Sequence, residues 1–161
     1  MTGASRPDWL TAVRRYLAAA AFGNLAWELA QMPLYTLWRT GSPGDIAFAV
    51  LHCAAGDVVI AGAALLGALI LVGVPDWPLR RFTPVAATAL AFGVAYTVYS
   101  EHVNLARGAW AYTEAMPTVP WLGTGIAPLA QWLAVPAASL AWAKRASTGS
   151  GAACLGRNTL T

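Results

Sequence analysis

The chain has 161 residues, of which 58% are hydrophobic and only 11% charged, against a charged fraction of about 25% in ordinary globular domains. The ten basic residues behind the net charge of +3 are scattered in short clusters, which excludes a nucleic-acid-binding face, and Cys53 and Cys154 lie in surroundings too unlike to form a disulfide framework. Four apolar runs of roughly 20 residues or more fit a bilayer core of about 30 Å, so the fold class is all-α: a polytopic membrane protein, a four-transmembrane-helix bundle.

Residues 1–15 are a polar leader carrying Arg6, Arg14 and Arg15. The run after the arginine pair continues to Trp38, too long for a cleaved signal peptide, and is expected to stay in the protein as a signal-anchor. The first helix, about 16–38, places Asn24, Glu28, Gln31 and Tyr35 at i, i+4, i+7 and i+11, on a single face. A polar stripe on an apolar helix faces the bundle interior, because lipid offers no hydrogen-bond partner. Pro33 is expected to kink this helix.

Residues 39–45 form a short turn. The second helix, about 46–73, carries His52 and Asp57. Asp57 shares a face with Ala61, Ala64 and Ala68, small residues that let helices approach closely. His52 lies about 140° around the helix from Asp57 and addresses a different neighbour. A Pro-broken loop at 74–82 holds Arg80 and Arg81.

The third helix, about 83–103, ends in Glu101 and His102, with Thr97, Glu101 and Asn104 on one face. The 104–120 loop carries Trp110 and Tyr112, and Trp121 follows it. Such amphipathic rings suit the headgroup belt, and the loop is also expected to fold inward as a lid. The fourth helix, about 121–143, carries Gln131, and residues 146–161 read as a disordered tail. The helical domain is thus 16–145.

The leader, the 74–82 loop and the tail hold eight of the ten basic residues. The positive-inside rule then puts both termini in the cytoplasm of a bacterial cell, with the chain multi-pass in its inner membrane. Glu28, Asp57 and Glu101 lie within apolar runs that hold no lysine or arginine in their interiors. A carboxyl group taken out of water favours its protonated form, and a protonated acid in an apolar cavity is a competent general acid. Glu101, His102, Glu28 and Asp57 are therefore the candidate catalytic residues. His52, Gln31, Trp110, Tyr112 and Gln131 are the candidate substrate-binding ones.

The order Trp110-Ala111-Tyr112, then Leu122-Gly123, then Gly125-Ile126-Ala127-Pro128-Leu129-Ala130-Gln131 resembles a segment of the membrane-bound lycopene cyclases. In that family a tryptophan-small-aromatic sequence precedes a glycine-containing turn and a Pro-Leu-Glu-Glu signature, and an acidic residue stands upstream, where Glu101 stands here. The resemblance covers about thirty residues and implies proton-initiated cyclisation of an isoprenoid in a short helical bundle, without a metal. Ala130 and Gln131 occupy the places of the family's glutamate pair. The Glu101-His102 pair also resembles sterol isomerases of the emopamil-binding-protein type. With WELAQMPLY and HCAAGD added, the pattern as a whole resembles small bacterial integral membrane proteins.

The expected function is acid/base isomerisation or cyclisation of an isoprenoid or other apolar lipid, with no cofactor, no metal and no nucleic-acid partner. The alternatives are a transporter, a proton relay, or an accessory subunit working as a homo-oligomer or beside a membrane-complex partner. A further alternative is a haem- or metal-binding protein using His52 and His102. No phosphate-binding glycine loop or nucleophile motif is present.

Overall fold

The computed structural model describes residues 9–72 and 77–155, with side chains as far as Arg145. The described residues are helical, with no strand and two isolated antiparallel bridges. Four long helices dominate: α1 (Trp9–Gln31), α3 (Pro43–Val72), α4 (Phe82–Ala106) and α5 (Ile126–Leu155), with a short α2 (Leu37–Thr40) after the first. α1 and α4 each pack on both α3 and α5, so the four form a ring around one axis.

The residues facing that axis repeat at helical spacing. On α1 they are Ala12, Tyr16, Ala20, Asn24, Glu28 and Gln31; on α4 they are Val85, Ala89, Gly93, Thr97 and Glu101. One half of the bundle interior is therefore apolar, built around Tyr16, Leu65, Val85 and Leu140, and the other half is polar. The outer faces are the reverse of a water-soluble bundle. Phe22, Leu29, Phe48, Val59, Ile70 and Leu133 stand exposed, while Asn24, Glu28, Gln31 and Gln131 are buried. Large apolar side chains outside and a polar cluster within suit lipid as solvent.

Among the described residues, three helices are long and apolar enough to cross a membrane: α3, α4, and α5 over Ile126–Arg145. α1, at 23 residues, is long enough but is not among them, because Arg14, Arg15, Asn24, Glu28 and Gln31 make it too polar; Pro33 decides only where it ends. Pro33 has no N–H to donate and its ring clashes with the preceding turn, so α1 stops at Gln31 instead of bending on to Trp38. Only Tyr16–Gln31 then lies between the arginine pair and the helix end. A 3₁₀ turn (Met32–Leu34) follows, and Tyr35 takes an extended conformation outside the helical face on which the i+11 spacing put it. It is buried all the same.

α3 begins earlier than expected because Ser42 and Asp45 cap it reciprocally. Ser42 Oγ accepts from the Asp45 N–H at 3.2 Å, and Asp45 Oδ2 accepts from the Ser42 N–H at 3.0 Å, with Pro43 at the first helical position. α5 begins at Ile126, five residues later than expected, and runs on through the polar stretch to Leu155. The leader through Asp8, residues 73–76 and the end of the tail lie outside the described residues.

The segment joining α4 to α5 is ordered by its own backbone. Thr36 N–H donates to Ala111 O and Thr113 N–H to Leu34 O, each at 2.9 Å, pairing 34–36 with 111–113 as a short antiparallel strap. A tight hairpin follows, closed by Val119 N–H to Thr124 O at 2.9 Å and Ile126 N–H to Pro117 O at 2.7 Å. Trp121 sits at its tip, fully exposed and with a left-handed φ of 63°.

Candidate functional site

Between the polar halves of the four long helices lies a cavity of about 310 Å³. Its floor is a hydrogen-bonded cluster centred on Gln131. The Gln131 Nε2 group lies 3.1 Å from Asn24 Oδ1, 3.2 Å from Glu28 Oε1 and 2.8 Å from Asp57 Oδ2. Gln31 Nε2 donates to Glu28 Oε1 at 3.0 Å and to Gln131 Oε1 at 3.1 Å. Two carboxyl groups from different helices, Glu28 on α1 and Asp57 on α3, thus meet at one amide nitrogen of α5. The Gln131 amide has two protons for three oxygens. Asn24 Nδ2 and Gln31 Oε1 are buried with no hydrogen-bond partner.

Glu101 forms the opposite wall, near the C-terminal end of α4. Its Oε2 accepts the hydroxyl of Tyr112, whose oxygen in turn accepts the Gly125 N–H at 3.0 Å. The backbone N–H only donates, so the phenol oxygen is the acceptor of that second bond. Burial raises the Tyr112 phenol above its ordinary pKa, as does its bond to Glu101. It remains a proton-bearing donor across the neutral range. The Trp110 indole N–H lies near Glu101 but outside hydrogen-bonding geometry. Tyr35 packs edge-on against both Trp110 and Tyr112, with ring centroids 6.4 and 5.5 Å away. The strap pairing 34–36 with 111–113 thereby brings an aromatic roof over the acid.

Tyr112→Phe is expected to loosen this roof. It removes the donor to Glu101 and leaves the Gly125 N–H unanswered, a cost of about 1–3 kcal/mol for such a group. A lower unfolding temperature, with faster amide exchange over 111–126, is the measurement. An unchanged exchange pattern would show that the phenol is not what holds the roof.

The mouth of the cavity opens between α3 and α4. A Cβ placed at Gly56 would meet nothing within 4 Å, and Gly56, His52 and Tyr96 line the cavity there. His52 is exposed at this rim and stacks on Phe48, centroids 5.5 Å apart.

Of the nine residues singled out from the sequence, seven line the cavity: Glu28, Gln31, His52, Asp57, Glu101, Trp110 and Gln131. Tyr112 stands behind Glu101. His102 is not brought to the site: it is exposed, and its Nδ1–H donates to Val98 O of its own helix at 2.7 Å. Neighbours on a helix are about 100° apart, so Glu101 facing inward turns His102 outward. His52 and His102 accordingly do not face each other across the bundle as a ligand pair. Among the described residues no group of three or more His, Cys, Asp or Glu side chains is arranged to hold a metal ion.

The lid expectation divides. Trp110 and Tyr112 turn inward, whereas Trp121 points away. Cys53 and Met32 also line the cavity, and no sequence signal marked them, since an apolar run gives no reason to single out either. No family model, no curated protein and no solved structure matches the chain.

Proposed function

We propose that the chain is a four-helix bundle in a bacterial inner membrane, and that its polar centre is an acid/base catalyst acting on an isoprenoid or similarly apolar lipid. α1 is the fourth crossing: it shows Phe22 and Leu29 to the outside and hides Asn24, Glu28 and Gln31. The basic residues put both termini in the cytoplasm, which sets Glu101 and the aromatic roof toward the outer surface. Reporter fusions after Gly44 and near Thr113 are expected to read as exported, and a fusion at the C-terminus as cytoplasmic. A cytoplasmic signal at Thr113 would invert the arrangement.

The observation that carries the catalytic reading is the position of Glu101, held by Tyr112 at the wall of a cavity whose other wall is Glu28, Asp57 and Gln131. In this reading Glu101 gives its proton to a carbon–carbon double bond, and the positive charge appears on the neighbouring carbon. Glu28 and Asp57 stabilise that charge across the cavity, with the faces of Tyr35 and Trp110 adding cation–π attraction. Loss of a proton from an adjacent carbon, returned to the carboxylate, gives an isomerised or cyclised product. The entrance beside Gly56 lies between two membrane-crossing helices, so an apolar substrate enters sideways from the bilayer. The resemblance to lycopene cyclases over 110–131 points to the same chemistry.

Because such a reaction neither adds nor removes atoms, substrate and product have equal mass. Lipid extracts from cells with and without the gene are expected to differ by one pair of isobaric species exchanging abundance. Identical extracts would reject the reading. A proton-relay or transport role is the second reading, favoured by the continuous hydrogen-bonded chain that links Asn24, Gln131, Glu28, Gln31 and Asp57 across three helices.

A further inference from the structure

The buried amides fix their own orientation, and that orientation leaves one acceptor facing no donor. Gln31 Nε2 donates to two oxygens, Glu28 Oε1 and Gln131 Oε1. Turning the amide over would set an oxygen against both, so its Oε1 must be the other atom. That Oε1 has no partner, although Gln31 is only 5% exposed and lines the cavity. A buried acceptor without a donor costs more than any other state of the group, and it marks where a donor belongs.

The surroundings narrow the class of donor. Glu28, Asp57 and Glu101 line the cavity, and among the described residues no lysine or arginine does. Gln131 divides two amide protons among three oxygens. The wall between the acids is aromatic, with Tyr35, Tyr96, Trp110 and Trp132 among the lining residues. Carboxyl groups without a basic partner, an unanswered amide oxygen and aromatic faces together describe a complement to one ligand type. It carries a positive charge, at least one N–H, and an apolar body.

We propose that the cavity binds an organic ammonium ion, its N–H groups directed to Gln31 Oε1 and to the Glu28–Asp57 pair and its apolar body lying against Trp110 and Trp132 toward the Gly56 entrance. This rests on the reading of the cavity as the working site. It adds that the site is built to hold a positive charge that the ligand brings, and a proton given to an alkene creates a charge of the same sign in the same place. An ammonium therefore competes with the substrate. A soluble amine and the headgroup of phosphatidylethanolamine both offer this chemistry.

The test is titration of the purified chain in phosphatidylcholine nanodiscs, following fluorescence from the cavity tryptophans. The probes are cyclohexylammonium, cyclohexanol of the same shape without charge, and N,N,N-trimethylcyclohexylammonium with charge but no N–H. Cyclohexylammonium is expected to give a saturable change and cyclohexanol none. The trimethyl ion should bind about tenfold more weakly, the effect of losing one hydrogen bond to a charged group. Gln31→Met should remove that preference, and Asp57→Asn should weaken both cations. Saturation by cyclohexanol at the same concentration as the ammonium overturns the proposal on the unaltered chain, whatever the variants' folding. Repeating the titration with phosphatidylethanolamine in the disc identifies the source: competition assigns the headgroup, and no competition assigns a soluble amine. Ammonium binding with unchanged lipid extracts rejects the catalytic reading alone, and an isobaric pair without ammonium binding rejects this inference alone.

Discussion

Glu101→Gln is expected to leave the fold intact and to lower turnover by about a hundredfold or more, the usual contribution of a positioned general acid. Glutamine keeps the size of the side chain and an oxygen that accepts from Tyr112, so the roof over the cavity should hold. What it lacks is a proton that can be given away. Glu28→Gln and Asp57→Asn should cost less, because an amide dipole replaces part of the attraction those groups exert on a positive charge. The assay is conversion of whichever lipid the extracts identify, by purified variants whose unfolding temperatures match the parent. Full activity in Glu101→Gln would remove the catalytic reading and leave proton relay or ligand binding as the use of the cavity.

The second large effect is one of packing. A Cβ at Gly93 would lie 2.2 Å from Trp132 Cε3 and 2.6 Å from Cζ3, well inside contact distance. Trp132 is buried between α4 and α5 and is a rigid plane, so it cannot yield by a small rotation at its tip. Gly93→Ala should therefore destabilise by about 1–3 kcal/mol or more, the range for forcing added methylenes into a packed core. Because Trp132 also lines the cavity, displacing it should alter ligand affinity together with stability. Thermal unfolding in detergent measures the first effect. The double variant Gly93→Ala with Trp132→Leu should recover part of the loss, a coupling expected of residues in contact. Additive losses would mean that the indole has room to move.

The polar half of the interior was readable because its signal is strong and local. Asn24, Glu28 and Gln31 recur at helical spacing in an apolar run, and no other face of α1 can hide them from lipid. The same logic found Asp57, Glu101 and Gln131. What could not be read was how far each helix runs and what crosses between elements. Pro33 allowed a kink or a stop, and the choice depended on the strap that receives the chain at Thr36. Ser42 and Asp45 lie at capping spacing, but in a turn their signal was masked by the proline and glycines around them. Tyr112 and Glu101 are bonded across a loop, and no periodicity connects them. Gly93 carried no mark at all, since its role exists only opposite an indole on another helix.

The strap formed by 34–36 and 111–113 also bears on how this protein can change over generations. The roof of the cavity is tied down by main-chain groups, Thr36 N–H, Leu34 O, Ala111 O and Thr113 N–H, and every amino acid but proline offers both. Side chains at positions 34, 36 and 111 are free to drift without releasing it, whereas the Thr113 hydroxyl adds a bond of its own to Leu34 O at 3.2 Å. A lineage could thus reshape the outer surface of the roof, and with it whatever approaches from that side, while Glu101, Tyr112 and the floor beneath keep their places.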